Sequence, residues 1–491
     1  MKRGFTSGLQ QLASAALFCG LAPAETPKVD ALFPTGGQRG SSFEVAASGK
    51  LEPWPPEIWC NEGGVEFTPD EKQKGKFQVT IADSARPGAR LIRFFNSDGA
   101  SAPRLFLVGQ EPEISEREPN NEIGQAQQLD VGALPLTING KLDPGGDVDG
   151  FAIDLKAGQT VTATVRSYSL DAPLDPLLHV RDSRGTQLGF NHDATTVGLD
   201  PRLSFRAPDA GRFIFHLFAF AYPPRADIRL AGGSTSIYRI TFSEGQPPPP
   251  FVDDPDAARE IEIPFTGQGR ISRSGESDRF AFAATKSEKL HFSVRAAELG
   301  SLLDPLLRIL DADGKQSASA DDIDAKTLHD IAFDWTVPED GRFVACISDR
   351  GGKGGERFGY RFEARHQLAD FEAVTGTHSL AVKPGEKTEL KLKVTPKYDF
   401  KDSLQLRADG LPAGVTAKRV DVPAKGGEVT LTIDAPQDAP PSNGPITIWA
   451  GSGAGKSGKT VTVSLKGTHA DAGDLVVNEL DTVWLTVLPT K

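Results

Sequence analysis

Leu174-Asp175-Pro176-Leu177-Leu178 recurs 129 residues later as Leu303-Asp304-Pro305-Leu306-Leu307. The match spreads outward from both copies. Gly140-Lys141-Leu142 and Phe151-Ala152-Ile153 return as Gly269-Arg270-Ile271 and Phe280-Ala281-Phe282, and Asp182 and Gly185 return as Asp311 and Gly314. With one added residue, Pro208, Gly211, Arg212 and Phe213 return as Pro338, Gly341, Arg342 and Phe343. A period this long marks a duplicated domain, not a solenoid unit. The repeated pentapeptide itself reads as scaffold: Leu for the core, Asp-Pro for a fixed bend entering a strand.

Within each copy the apolar residues alternate. Thr160-Val-Thr-Ala-Thr-Val and Leu290-His-Phe-Ser-Val read as half-buried strands, and Phe213-Ile-Phe-His-Leu-Phe and Phe343-Val-Ala-Cys-Ile as central strands, apolar on both faces. Asp182-Ser-Arg-Gly185 and Asp311-Ala-Asp-Gly314 read as hairpin turns. Helical periodicity is confined to the N-terminus. Each copy is therefore expected to be a β-sandwich of about eight strands.

Around the pair, 491 residues leave room for further domains, and 51 Gly with 36 Pro fit short strands joined by tight turns. A net charge of -12 argues against nucleic acid or an acidic membrane surface as partner. Lys2 and Arg3, the apolar stretch Leu12 to Leu21, and Ala22-Pro23-Ala24 make residues 1–24 a signal peptide candidate. That apolar run is too short to span a membrane, and no later one reaches about 18 residues. The chain is thus expected to be exported without a membrane span, to the periplasm, the cell surface or the medium. Cys60 and Cys346 fall in different domains, so no disulfide is expected.

Residues 27–109 read as a small β-domain. Phe33-Pro-Thr-Gly-Gly, Ala85-Arg-Pro-Gly88 and the closing Leu105-Phe-Leu-Val-Gly109 resemble immunoglobulin-like domains of the IPT/TIG type. Its Pro-rich stretch holds Trp54 and Trp59, which are candidates for a sugar- or peptide-binding patch or a packed loop over the core. Gln110 to Glu116 reads as a short acidic linker. The first copy occupies 112–244, a polyproline spacer 245–250, and the second copy 251–367. Residues 369–491 form a last β-domain; Lys383-Pro384-Gly385-Glu386 and Gly410-Leu-Pro-Ala-Gly-Val415 resemble bacterial Ig-like domains. The whole is expected to be all-β, a string of four sandwiches.

The duplicated domain resembles the bacterial pre-peptidase C-terminal (PPC) family. The matching residues are Glu118-Pro119-Asn120-Asn121, Gly140-Lys-Leu, Asp147-Val-Asp149-Gly-Phe151, Leu174-Asp-Pro-Leu-Leu and Pro208-Asp-Ala-Gly211-Arg-Phe213. The resemblance implies a jelly-roll-like, non-catalytic appendage that binds, solubilises or aids secretion.

One stretch suggests chemistry. Ser115-Glu116-Arg117-Glu118-Pro119-Asn120-Asn121 crowds oxygen-bearing side chains, and an extended segment sends Glu116, Glu118 and Asn120 to one side. Calcium takes six to eight oxygen ligands; Asp147 and Asp149 are placed to complete the shell. In collagen-binding relatives of the family, a Glu-x-Glu-Pro-Asn segment holds calcium. The resemblance therefore implies Glu116, Glu118 and Asn120 as ligands, with Asn121 where an Asp is common. The alternative is a capping turn beside a solvated strand end. The second copy begins Asp253-Asp-Pro-Asp-Ala257 and keeps only Asp278 opposite Asp149, so loss of the site is expected there.

Gly453-Ala-Gly-Lys-Ser-Gly458-Lys459-Thr460 fits the phosphate-binding loop pattern, whose mechanism needs a strand before and a helix after. Thr460-Val-Thr-Val-Ser-Leu alternates as a strand instead, so no nucleotide is expected. Neither Gly-x-Ser-x-Gly nor His-Glu-x-x-His occurs. Function is expected to be non-catalytic binding or adhesion at the bacterial envelope, on protein or polysaccharide, with an accessory of a secreted protease or an unrecognised secreted hydrolase as alternatives. The sequence does not speak to oligomeric state.

Overall fold

The computed structural model describes residues 25–490 apart from 193–198, 223, 225–228, 246–257, 297–300, 322–329, 356–357, 368, 399, 453–457 and 467–473. The signal peptide candidate, residues 246–250 of the spacer and the second copy's leading acidic stretch lie outside the described residues. Among those described, helix is limited to two 3-10 turns, Val131–Ala133 and Tyr168–Leu170. Strands form eight sheets, which enclose four apolar interiors. The protein is an all-β chain of sandwiches, as the alternating sequence patterns predict.

In the first copy the strands are β1 (Glu113–Ser115), β2 (Gln127–Leu129), β3 (Leu136–Lys141), β4 (Asp149–Leu155), β5 (Thr160–Arg166), β6 (Leu174–Asp182), β7 (Gln187–Asn191), β8 (Arg202–Arg206), β9 (Gly211–Ala221) and β10 (Ile237–Glu244). One sheet runs β1-β3-β10-β5-β8, the other β2-β4-β9-β6-β7. The second copy has β11 (Arg259–Glu260), β12 (Phe265–Arg270), β13 (Ser277–Ala284), β14 (Lys289–Arg295), β15 (Pro305–Leu310), β16 (Gln316–Ala320), β17 (Ile331–Thr336), β18 (Gly341–Asp349) and β19 (Gly359–His366). Its sheets run β12-β19-β14-β17 and β11-β13-β18-β15-β16. The order is the same strand for strand, and β1 alone lacks a counterpart among the described residues.

The repeated pentapeptide is scaffold. Leu174 and Leu178 of β6, like Leu303 and Leu307 of the second copy, are buried between the sheets. Pro176 and Pro305 sit where the hairpin partner has not yet joined, since that pairing begins at Leu178 and Leu307. A missing N–H is tolerated at such a strand start. Asp182 Oδ1 accepts from Arg184 N at 2.9 Å and Thr186 N at 2.8 Å. Asp311 Oδ1 repeats this with Asp313 N at 3.0 Å and Lys315 N at 2.9 Å. Gly185 and Gly314 take positive φ of 88° and 76° in these turns, a backbone that glycine adopts without a Cβ penalty.

One expectation is corrected here. Residues 113–115 are not linker: β1 pairs in parallel with Thr137, Ile138 and Asn139 of β3. Glu113 is tied down by Arg239 Nη2 at 2.6 Å and Asn139 Nδ2 at 2.9 Å. Trp54 and Trp59, read as either a ligand patch or a packed loop, take separate places. Trp54 packs on Phe77 of the N-terminal core, with ring centroids 5.2 Å apart. Trp59 meets Trp484 of the C-terminal domain edge to face at 5.6 Å. Their side chains answer to two different hydrophobic environments, which proximity in sequence does not reveal.

The second of these contacts belongs to a wider junction between the first and last sandwiches. Phe95 also packs on Trp484, at 5.1 Å. Buried Arg93 donates from Nη2 to the His378 carbonyl at 3.1 Å, and its Nη1 lies 3.2 Å from His378 Nδ1. On the other side, a buried pair of Arg104 and Asp171 joins the N-terminal sandwich to the first copy. Gly458–Thr460 is a strand paired with Trp449–Gly451, and Thr462–Lys466 is another, so strand follows where a phosphate-binding loop needs helix. Lys459 Nζ is bound to Asp370 Oδ1 at 3.0 Å. Cys60 and Cys346 are free thiols.

Candidate metal centre and the pocket beside it

The residues after β1 turn across the sandwich and meet the start of β4. The turn brings together Glu116, Glu118 and Asp149, each with one carboxylate oxygen within 4.8 Å of the others. Oxygens on opposite sides of a calcium ion lie about 5 Å apart, so the spacing suits a shared divalent cation. Glu116 is held from two sides: Lys141 N donates to Oε1 at 2.7 Å, and the Tyr238 hydroxyl donates to Oε2 at 2.6 Å. Glu118 Oε2 accepts from Asn120 N at 3.0 Å. Asp149 is fully buried; the Tyr238 hydroxyl and the Glu116 carboxylate stand beside it and interact with it, but neither of its oxygens has a donor in good hydrogen-bond geometry. Buried polar atoms are normally paired, and an unpaired buried carboxylate is among the costliest groups to leave bare. Burial, reinforced by the negative charge of Glu116, pushes Asp149 up to about 10. Burial likewise raises Glu116. These groups await either a proton or a cation.

Asn120 lies beside them. Its carbonyl accepts from Gly150 N at 3.1 Å. Its side chain is fully buried with both amide atoms unpartnered. Its oxygen is the kind of neutral donor that calcium sites use alongside carboxylates. Asp147 and Asn121 take a different place from the one expected. Asp147 accepts from Asp143 N and Asn121 Nδ2, each at 2.8 Å, and from Val148 N at 3.0 Å. Those donors occupy its carboxylate, so Asp147 and Asn121 build the turn that carries Asp149 and stand outside the convergent cluster.

The Gly140 motif is explained by the same geometry. Gly140 stands opposite Tyr238 across the β3–β10 pair. A Cβ there would run into the tyrosine ring and Glu116 Oε2, so the ring covers the bare glycine. Gly269 and Tyr360 repeat the arrangement in the second copy. There the Tyr360 hydroxyl donates to Asp278, the counterpart of Asp149.

A pocket of about 310 Å³ lies beside the turn, and Asn121, Glu122, Arg181, His216, Phe218 and Leu230 are among the residues that line it. Sequence reading placed His216 in a strand apolar on both faces and passed over this pocket. The signal was the repeat itself: His179, His216, Phe218 and Phe190 stand where the second copy has Arg308, Cys346, Ser348 and Ser319.

No family model and no curated protein matches the chain. Among solved structures it is similar to the pre-peptidase C-terminal domain of collagenase from Bacillus anthracis, at 13% identity and TM-score 0.18, covering 26% of this chain and 100% of that one. It is also similar to SGBP-B of the Bacteroides ovatus mixed-linkage glucan utilization locus, in complex with a mixed-linkage heptasaccharide, at 10% identity and TM-score 0.16, covering 68% of this chain and 73% of that one. The N-terminal eight Ig domains of Down Syndrome Cell Adhesion Molecule match at 11% identity and TM-score 0.14, covering 90% and 72%. At such values these likenesses carry no argument about function. Among the described residues no helix is long and apolar enough to cross a membrane.

Proposed function

We propose that this chain is an exported, non-catalytic binding protein of the bacterial cell envelope that holds protein or polysaccharide, with calcium clamping its first PPC-like copy. The observation that carries the calcium reading is Asp149: fully buried, without a donor in good hydrogen-bond geometry, and converging with Glu116 and Glu118. Those three carboxylates and the Asn120 carboxamide would hold the ion. A bound divalent cation supplies positive charge that relieves their mutual repulsion. The chain's part is to fix the segment from β1 to β2 against the sandwich. The interiors are filled with apolar side chains, which favours ligand contact on outer surfaces.

Two measurements test this. The full chain should be retained by envelope fractions in the presence of calcium and turn over no substrate in a protease and glycosidase panel. Turnover lost on mutating a single Ser or His would defeat the non-catalytic reading. Calcium should raise the melting temperature relative to chelator, and Glu118→Ala should abolish that rise; a wild type indifferent to calcium would dismiss the clamp.

A further inference from the structure

The pocket beside the cluster is lined by buried nitrogens without hydrogen-bond partners. His216 is 4% exposed, and its Nδ1 has no partner. Arg181 Nε is likewise buried and unpartnered. Both come from neighbouring strands of one sheet, β9 and β6, and both line the same cavity. Guanidinium donors in a partly dry pocket select an anionic oxygen acceptor. Asn121 and Glu122 also line the pocket, and their side-chain oxygens accept hydrogen bonds and so suit hydroxyl groups. Phe218 and Leu230 supply apolar lining. A ligand meeting all three demands is a compact ring bearing one carboxylate, several hydroxyls and an apolar face. The volume, about 310 Å³, is at the small end of ligand pockets and matches a ring better than an extended chain.

Beyond the pocket, rings continue along the outer face. His179 meets Phe218 at 4.8 Å and Phe190 at 5.8 Å. Phe190 is 58% exposed, a large share for an aromatic residue that is not serving a core. The second copy shows that the scaffold requires none of this. At the same registers it has Leu310 for Arg181, Cys346 for His216, Ser348 for Phe218 and Ser319 for Phe190, while its inward-facing positions remain apolar.

We propose that this pocket binds a uronate ring of an acidic polysaccharide, with Arg181 and His216 on the carboxylate, Asn121 and Glu122 on hydroxyls, and neighbouring sugars stacked along His179 and Phe190. The assignment rests on the reading of the chain as a binding protein and names its ligand class.

The test is calorimetric titration of the full chain with short oligomers of galacturonate, glucuronate and mannuronate, with their carboxyl-reduced counterparts, and with a hexaglutamate peptide. At least one uronate oligomer should bind saturably, and its reduced counterpart should bind roughly tenfold more weakly or worse, the loss of a charged hydrogen bond. Arg181→Leu, which installs the second copy's residue, and Phe218→Ser should each weaken binding to a similar degree while the melting temperature stays within a few degrees. Should Arg181→Leu fail to fold, Phe218→Ser and the reduced oligomers still decide the matter. Failure of all three uronates, equal binding of reduced oligomers, or hexaglutamate binding without uronate binding overturns the proposal. Retention on envelope material that uronate oligomers do not compete overturns the pocket and leaves the binding function standing. No retention by any envelope fraction defeats both.

Discussion

The Tyr238 hydroxyl donates to Glu116 Oε2 at 2.6 Å across the bare backbone of Gly140. One ring thereby covers a glycine, anchors the segment that follows β1 and orients a candidate metal ligand. Gly140→Ala should be disproportionately costly. A methyl at that position displaces the ring, and overpacking of this kind costs about 1–3 kcal/mol. Chemical denaturation should show a lowered midpoint. Any calcium-dependent rise in melting temperature should shrink as well, because Glu116 moves with the ring. Gly269→Ala should destabilise the second copy similarly while leaving a calcium effect intact.

Calcium in hundredfold excess over its dissociation constant should stabilise the first copy by about 2.7 kcal/mol, read as a rise of several degrees in melting temperature. Asp149→Asn replaces a carboxylate that must take up a proton to stay buried without a cation, and so keeps the position neutral. It should make the chelated protein no less stable than wild type while eliminating the calcium response. Scanning calorimetry with calcium and with chelator distinguishes these outcomes. A strong loss of stability for Asp149→Asn in chelator would mean that the carboxylate is needed for folding itself.

The junction of the first and last sandwiches should loosen on acidification. Burial, with the Arg93 charge adding to it, holds His378 down at about 4, so the folded state binds its proton less readily than an unfolded chain does. The stabilisation is therefore present above the ordinary imidazole value and is lost as pH falls towards 4. Protonation removes the Nδ1 acceptor facing Arg93 and sets two cations side by side. Tryptophan fluorescence from Trp59 and Trp484 should report the change, and His378→Asn should flatten its pH dependence.

Trp484→Ala should remove the contacts to Trp59 and Phe95 and open a cavity at the junction. Buried Trp-to-Ala changes cost about 3–5 kcal/mol. Thermal unfolding should lose cooperativity between the terminal sandwiches, while the transitions of the two central copies stay in place.

The sequence shows some of these features because they repeat a period. Leu174 and Leu303 are readable because a core position in a strand must be apolar, and a duplicated core is written twice. Glu116 and Glu118 are readable because extended chain alternates. Asp147 misleads, since its carboxylate is captured by Asp143 N through a local turn whose closure is not encoded by spacing. The packing of Trp59 is not legible because its partner lies more than 400 residues away in sequence. His216 and Phe218 were legible only as a difference between copies: the outer face of a sheet carries no periodic constraint, so substitutions there are noticed only against the second sandwich.

Because Arg93 is bonded to His378 across 285 positions of chain, the two central sandwiches form a loop whose ends are fastened together. Tension applied at the two ends of the protein would act first on the Trp59–Trp484 junction and reach the central pair only after that junction parts. A single peptide-bond break between the copies would leave the halves joined. Under load, such closure provides a first mechanical release that extends the chain while each sandwich stays folded.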